Sequence, residues 1–145
     1  MSHYNYAIAA GVAAMLIQAV SPGAIAAATN DTTKSPAKVE LVAGTSLKRV
    51  TLTPKAAQRL DIQTGQITED ETGRKVTPYT SLFYDLAGDA WVYTSPEALS
   101  FVRQKVVVES IKGANVYLKD GPATGEKIVT VGVSELFGTE KTVGH

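Results

Sequence analysis

Asp61, Glu69, Asp70 and Glu71 are the residues whose type and closeness could serve hydrolysis, because two carboxyl groups in one site can divide the roles of general acid and general base. The last three lie together with Gly73 in a charged stretch, and no apolar run beside them would lift a pKa, so a solvated turn is the expectation. Asp85, Asp89 and Asp120, next to Gly88 and Gly121, read as turn formers on the same grounds. Ser134 sits in G-V-S-E-L, which lacks the second glycine of a nucleophile elbow. The two histidines, His3 and His145, stand at the extremes of the chain, so no internal imidazole is available as its base. Ser134 is therefore expected to cap a final helical turn.

The chain contains no cysteine, which removes disulfides, thiolate nucleophiles and thiolate metal sites. Both methionines, Met1 and Met15, fall within the first 28 residues, the expected signal segment. No metal and no cofactor is expected. Gly121, Gly125 and Gly132 lack the Lys-Ser/Thr of a P-loop and the spacing of a dinucleotide fold. Lys plus Arg and Asp plus Glu are both 14, giving zero formal charge, and the basic residues are scattered. A nucleic-acid partner is not expected, nor an electrostatic hold on an anionic membrane. These features together predict that the protein is not an enzyme. The remaining groups suited to binding are the aromatics Phe83, Tyr84, Trp91, Tyr93, Phe101 and Tyr117. Trp91, Tyr93 and Phe101 are expected to be core aromatics of a small β domain, and any that cluster in the open would mark a protein contact.

The elements that must hold these residues can be read from period and punctuation. Arg49 to Leu52 is a short alternating strand. Thr53-Pro54 then supplies an N-cap and a proline at the first helical position for a brief helix carrying Ala56, Ala57 and Leu60. Ile62 to Ile67 returns to period two, and Glu69 to Gly73 turns. Leu86 to Asp89 closes a hairpin whose second strand, Ala90 to Thr94, puts Trp91 and Tyr93 on one face and Val92 on the other. Phe101 to Ile111, Val116 to Leu118 and Lys127 to Val131 are further strands. Ser134 to Phe137 is a helical turn stopped by Gly138. The expected fold is all-β, mainly antiparallel, a small barrel or sandwich with one short helix. A length of 145 residues suits one core.

Ahead of this unit, residues 1–28 read as a secretory signal peptide. Met1 to Asn30 has no Lys, Arg, Asp or Glu, and Ala7 to Val20 is an apolar run of h-region length. Ser21-Pro22-Gly23 breaks it, and small residues allow cleavage after Ala26 or Ala28. Residues 29–47 are expected to be a flexible linker and 48–145 the folded domain. The protein is thus expected in the periplasm or cell exterior, or membrane-anchored if the signal is not cleaved.

The segment PYTSLFYDLAGDAWVYTSPEALSFVRQKVVV, followed by VYLKDGPATGEKIVTVGVSELFGTE, resembles the membrane-proximal domain of periplasmic adaptor (membrane fusion) subunits of bacterial tripartite efflux systems. Pro78, Leu82, Asp85, Gly88, Val92, Tyr93, Phe101, Arg103, Val106, Val108, Gly121, Gly125, Val129, Gly132 and Leu136 hold the turn and strand positions of that pattern. LKRVTLTPKAAQRLDIQTGQI resembles the stretch with which such adaptors enter their folded part, with Asp61 where Gly is usual. Full adaptors insert a lipoyl-like domain and a helical hairpin between these blocks, whereas here only Thr68 to Lys75 separates them. The resemblance implies a non-catalytic module that docks on an envelope transporter or adaptor, touching the membrane only through the signal segment or a partner. A free-standing binding module for a small ligand or envelope polymer is the alternative expectation.

Overall fold

The computed structural model describes residues 35–143. Residues 1–28, expected from the sequence to be a signal peptide, and the expected cleavage positions Ala26 and Ala28 lie outside them. Strands β1 (Ala37–Leu41) and β2 (Lys48–Leu52) are followed by helix α1 (Pro54–Arg59), then β3 (Gln63–Gln66), β4 (Thr68–Glu69) and β5 (Lys75–Pro78). A 3-10 turn at Tyr79–Ser81 leads to β6 (Phe83–Tyr84), β7 (Ala90–Glu97), β8 (Ser100–Lys105), β9 (Val107–Lys112), β10 (Asn115–Asp120) and β11 (Lys127–Val131), and the chain ends in α2 (Val133–Val143).

All strand pairs are antiparallel. One sheet has the order β1-β2-β8-β7-β11-β3, with β6 also on β7, and a second has the order β4-β5-β10-β9. The fold class is therefore mainly antiparallel β, in two open sheets rather than a closed barrel. The larger sheet lies in the middle. Alternation along its strands sends Tyr93, Phe101 and Val129 into a core shared with Ala56, Ala57, Val133 and Leu136 of the helices. The intervening residues Val92 and Ile128 go to a second core with Val106, Val116 and Leu118 of the smaller sheet and its approach. The Val106-Val107-Val108 run does not make one long strand: Val106 donates its N–H to Ala90 and separates β8 from β9, so the chain crosses there from one sheet to the other.

Besides that division of the strand expected over Phe101 to Ile111, three expectations need correction. Residues 37–41, expected within the linker, form β1, paired from Ala37↔Leu52 to Leu41↔Lys48, because Ala37 and Val39 alternate inward and complete the edge of the helix-covered core. The C-terminal turn is an eleven-residue helix that runs through Gly138. Its stripe Val133, Leu136, Phe137 and Glu140 lies against the sheet, and this tertiary cover outweighs the helix cost of one glycine, about 1 kcal/mol. Ser134 is consequently inside that helix and exposed, not its cap.

The start of α1 is as the residues imply. Thr53 accepts the N–H of Ala56 on its Oγ1 at 3.2 Å and Pro54 occupies the first helical position. Gly132 joins β11 to α2 with φ +83°, and a Cβ there would lie 2.6 Å from Ile62 Cδ1 and 2.8 Å from the Leu60 carbonyl oxygen. Only glycine permits both the turn and this approach of the end of α1 to the start of α2.

Candidate interaction surface

Under α2, a chain of polar and aromatic contacts crosses the helix-covered face of the large sheet. Register pairs Tyr93 of β7 with Arg103 of β8, and Phe83 of β6 with Trp91 of β7, so these four side chains share that face. Glu140, 1 % exposed, reaches down from α2 and accepts the Tyr93 hydroxyl at 2.5 Å. Its other oxygen lies 3.4 Å from Arg103 Nε, a charge pairing outside hydrogen-bond geometry, so that Nε keeps no hydrogen-bond acceptor among the described residues. Burial, and then the hydrogen bond and charge of Glu140, hold the Tyr93 phenol well above its ordinary range, so it remains a donor at any physiological pH. Phe83 stacks on Tyr93 at 5.0 Å between centroids and tilts against Phe137 of α2 at 5.1 Å.

Trp91 lies one pleat further along β7 and is half-buried, which corrects its assignment to the core; Tyr93 and Phe101 are buried. The indole needs a partner for its N–H, and it finds one at the margin. Nε1 donates to Asp85 Oδ2 at 2.9 Å, and the Arg103 guanidinium lies 4.7 Å from the ring centroid. Burial raises the Asp85 pKa, but the hydrogen bonds from Trp91, Asp89 and Ala87 and the charge of Arg103 outweigh it, leaving the carboxyl below its ordinary range. Asp85 thus organises the β6–β7 turn and fixes the tryptophan.

Asp70, Glu69, Asp120 and Asp61 also accept hydrogen bonds. Asp70 accepts from the Thr72 hydroxyl and the Thr72 and Arg74 backbone N–H groups, and from the Arg74 guanidinium at 2.7 Å. These bonds, led by the Thr72 hydroxyl, hold its pKa low. Glu69 accepts from Thr124 Oγ1 at 2.6 Å, and Asp120 from the N–H of Gly121. Asp61 stands at φ +49° just after α1, one hydrogen bond from Gln63, and does not meet the Glu69–Glu71 turn in a shared site. Among the described residues no group of three His, Asp or Glu is placed to hold a metal ion, and no helix is long and apolar enough to cross a membrane.

An open groove of about 510 Å³ runs between α1 and α2. Its floor is Ala37, Leu52 and Ala56, all buried, and Leu60, Thr139 and Val143 stand along its sides. Arg59 of α1 and Glu135 of α2 line it as well, both exposed, and neither makes an ion pair among the described residues. Gly138 contributes a bare stretch of helix, since a Cβ there would meet nothing within 4 Å. Periodicity reveals Ala56 and Leu60 as a helix stripe, but Glu140, Arg59 and Glu135 carry no local signal. Glu140 reads in sequence as one more charge near the end of the chain.

No family model, curated protein or solved structure matches this chain.

Proposed function

We propose that the domain is an exported, non-catalytic accessory module that docks on an envelope transporter or adaptor subunit. The observation that carries this reading is the open apolar groove between α1 and α2, flanked on each helix by an exposed charge that makes no ion pair among the described residues. Exposed apolar concavities of this kind mark contact sites. Of the carboxylates suited to hydrolysis, Asp70 accepts hydrogen bonds within its own turn, Glu69 accepts one from Thr124 and Asp61 one from Gln63, which supports a structural role for these three. The adaptor-like pattern spans the strands that build both sheets, and the leader-like first segment supplies a route out of the cytoplasm.

Chemical crosslinking of intact envelopes, followed by purification of the full chain, tests the reading. Recovery of a transporter or adaptor subunit in the crosslinked product is the expected result. Equal binding of the chain to membranes with and without that transporter, together with saturable binding of a small ligand, overturns it. That second outcome favours a free-standing module for a small ligand or envelope polymer, a reading supported by the groove volume, which falls in the range of small-molecule sites.

A further inference from the structure

The groove also restricts what kind of partner segment can fill it. Its sides are two helices whose backbone hydrogen bonds are made internally, and the edge strand β1 reaches it only at Ala37, so an extended peptide lying between the helices would find no ladder there for most of its own N–H and C=O groups. A helix arrives with those groups already satisfied. From Glu135 to Thr142 the α2 side runs two turns, roughly 10 Å at 1.5 Å per residue, which suits contacts at i, i+3 or i+4, and i+7 of a crossing helix. The bare backbone at Gly138 and the small Ala37 and Ala56 of the floor permit close approach. Arg59 and Glu135 are of opposite sign and unpaired, so a single anionic head group would be drawn by one and repelled by the other, whereas a helix can carry a charge for each.

We infer that the groove between α1 and α2 binds a two-turn amphipathic helix of the partner, its apolar stripe against Leu52, Ala56 and Leu60, an acidic residue facing Arg59 and a basic one facing Glu135. This rests on the docking reading and specifies its contact.

The test uses the purified full chain and a display library of helix-forming peptides of three to four turns. Enriched peptides, resynthesised and followed by fluorescence anisotropy, are expected to carry apolar residues at helical spacing with one flanking acid and one flanking base. Thr142→Trp, at an exposed groove position, should fill the groove and weaken binding by about tenfold or more. Arg59→Glu should weaken it by about tenfold, and a peptide whose acid is changed to Lys should restore it. Enrichment without helical apolar spacing, or binding indifferent to Thr142→Trp, overturns the inference. So does saturable binding of dodecanoate in place of peptide, or a dimer in sedimentation that Thr142→Trp abolishes, since these assign the groove to an acyl chain or to a second copy. If Thr142→Trp leaves envelope crosslinking to a transporter unchanged, the groove inference fails and docking stands. If peptides bind as expected but no transporter or adaptor is crosslinked, docking fails and the helix site stands.

Discussion

The two faces of the large sheet are covered in different ways. On one, Val92 and Ile128 meet Val116 and Leu118 of the smaller sheet in a core of aliphatic side chains, with the buried hydroxyls of Thr77 and Ser81 bonded to each other at 2.7 Å at its margin. On the other, two helices rest on Tyr93 and Phe101, and one of them is braced by the buried carboxylate of Glu140 and the guanidinium of Arg103. Apolar packing excludes water with little directional demand, whereas a buried charge must find its partners in one geometry. The helix face is therefore specified more sharply, and because α1 and α2 stand apart it also retains the groove.

The largest effect is expected at the joint that carries the helix layer. Gly132→Ala forces φ +83° on a residue with a Cβ and drives that atom against Ile62 and the Leu60 carbonyl. Backbone strain and overpacking together should cost about 3 to 5 kcal/mol in urea unfolding. Hydrogen exchange should show α1 and α2 losing protection while β9 and β10 keep theirs. Equal loss in all four would mean that the two faces are one cooperative unit.

Next comes the brace itself. Glu140→Ala strands Arg103 and removes the acceptor of Tyr93, for an expected cost of about 3 kcal/mol. Ile128→Val on the aliphatic face should cost about 1 kcal/mol. If Glu140→Ala unfolds no more readily than Ile128→Val, the charge contributes nothing beyond its volume.

Trp91→Ala should cost about 2 kcal/mol, less than a fully buried aromatic, because the side chain is only partly removed from water. The variant should also release the Asp85 turn, seen as faster exchange at the Ala87 and Asp89 amides.

The smallest effect concerns pH. Asp85 has a lower pKa folded than unfolded, so its contribution is present above the unfolded value of about 3.9 and is lost as pH falls through the folded one. Asp70 acts with the same sign. Asp85→Asn should flatten the fall in urea midpoint between pH 4 and acid, whereas Ile128→Val should shift the whole profile evenly.

By itself the sequence determined the strands that alternate, the turns at Gly73 and Gly88, the Thr53-Pro54 helix start and the antiparallel β class, because each follows from neighbours within a few residues. It also indicated that Trp91 and Tyr93 share a face. Tertiary structure alone decided that the sheets stay open, which depends on partners far along the chain, and that residues 37–41 join an edge, since Ala37 and Val39 are held inward by a core that includes Val133 and Leu136. The same holds for α2, whose eleven residues pass through a glycine because a sheet lies beneath them, and for Trp91, whose half-buried place is set beside Asp85 and Arg103. Glu140 is the clearest instance. Its meaning comes from Tyr93 and Arg103, 47 and 37 residues earlier, and no local pattern can encode a contact that exists only when β7, β8 and α2 meet.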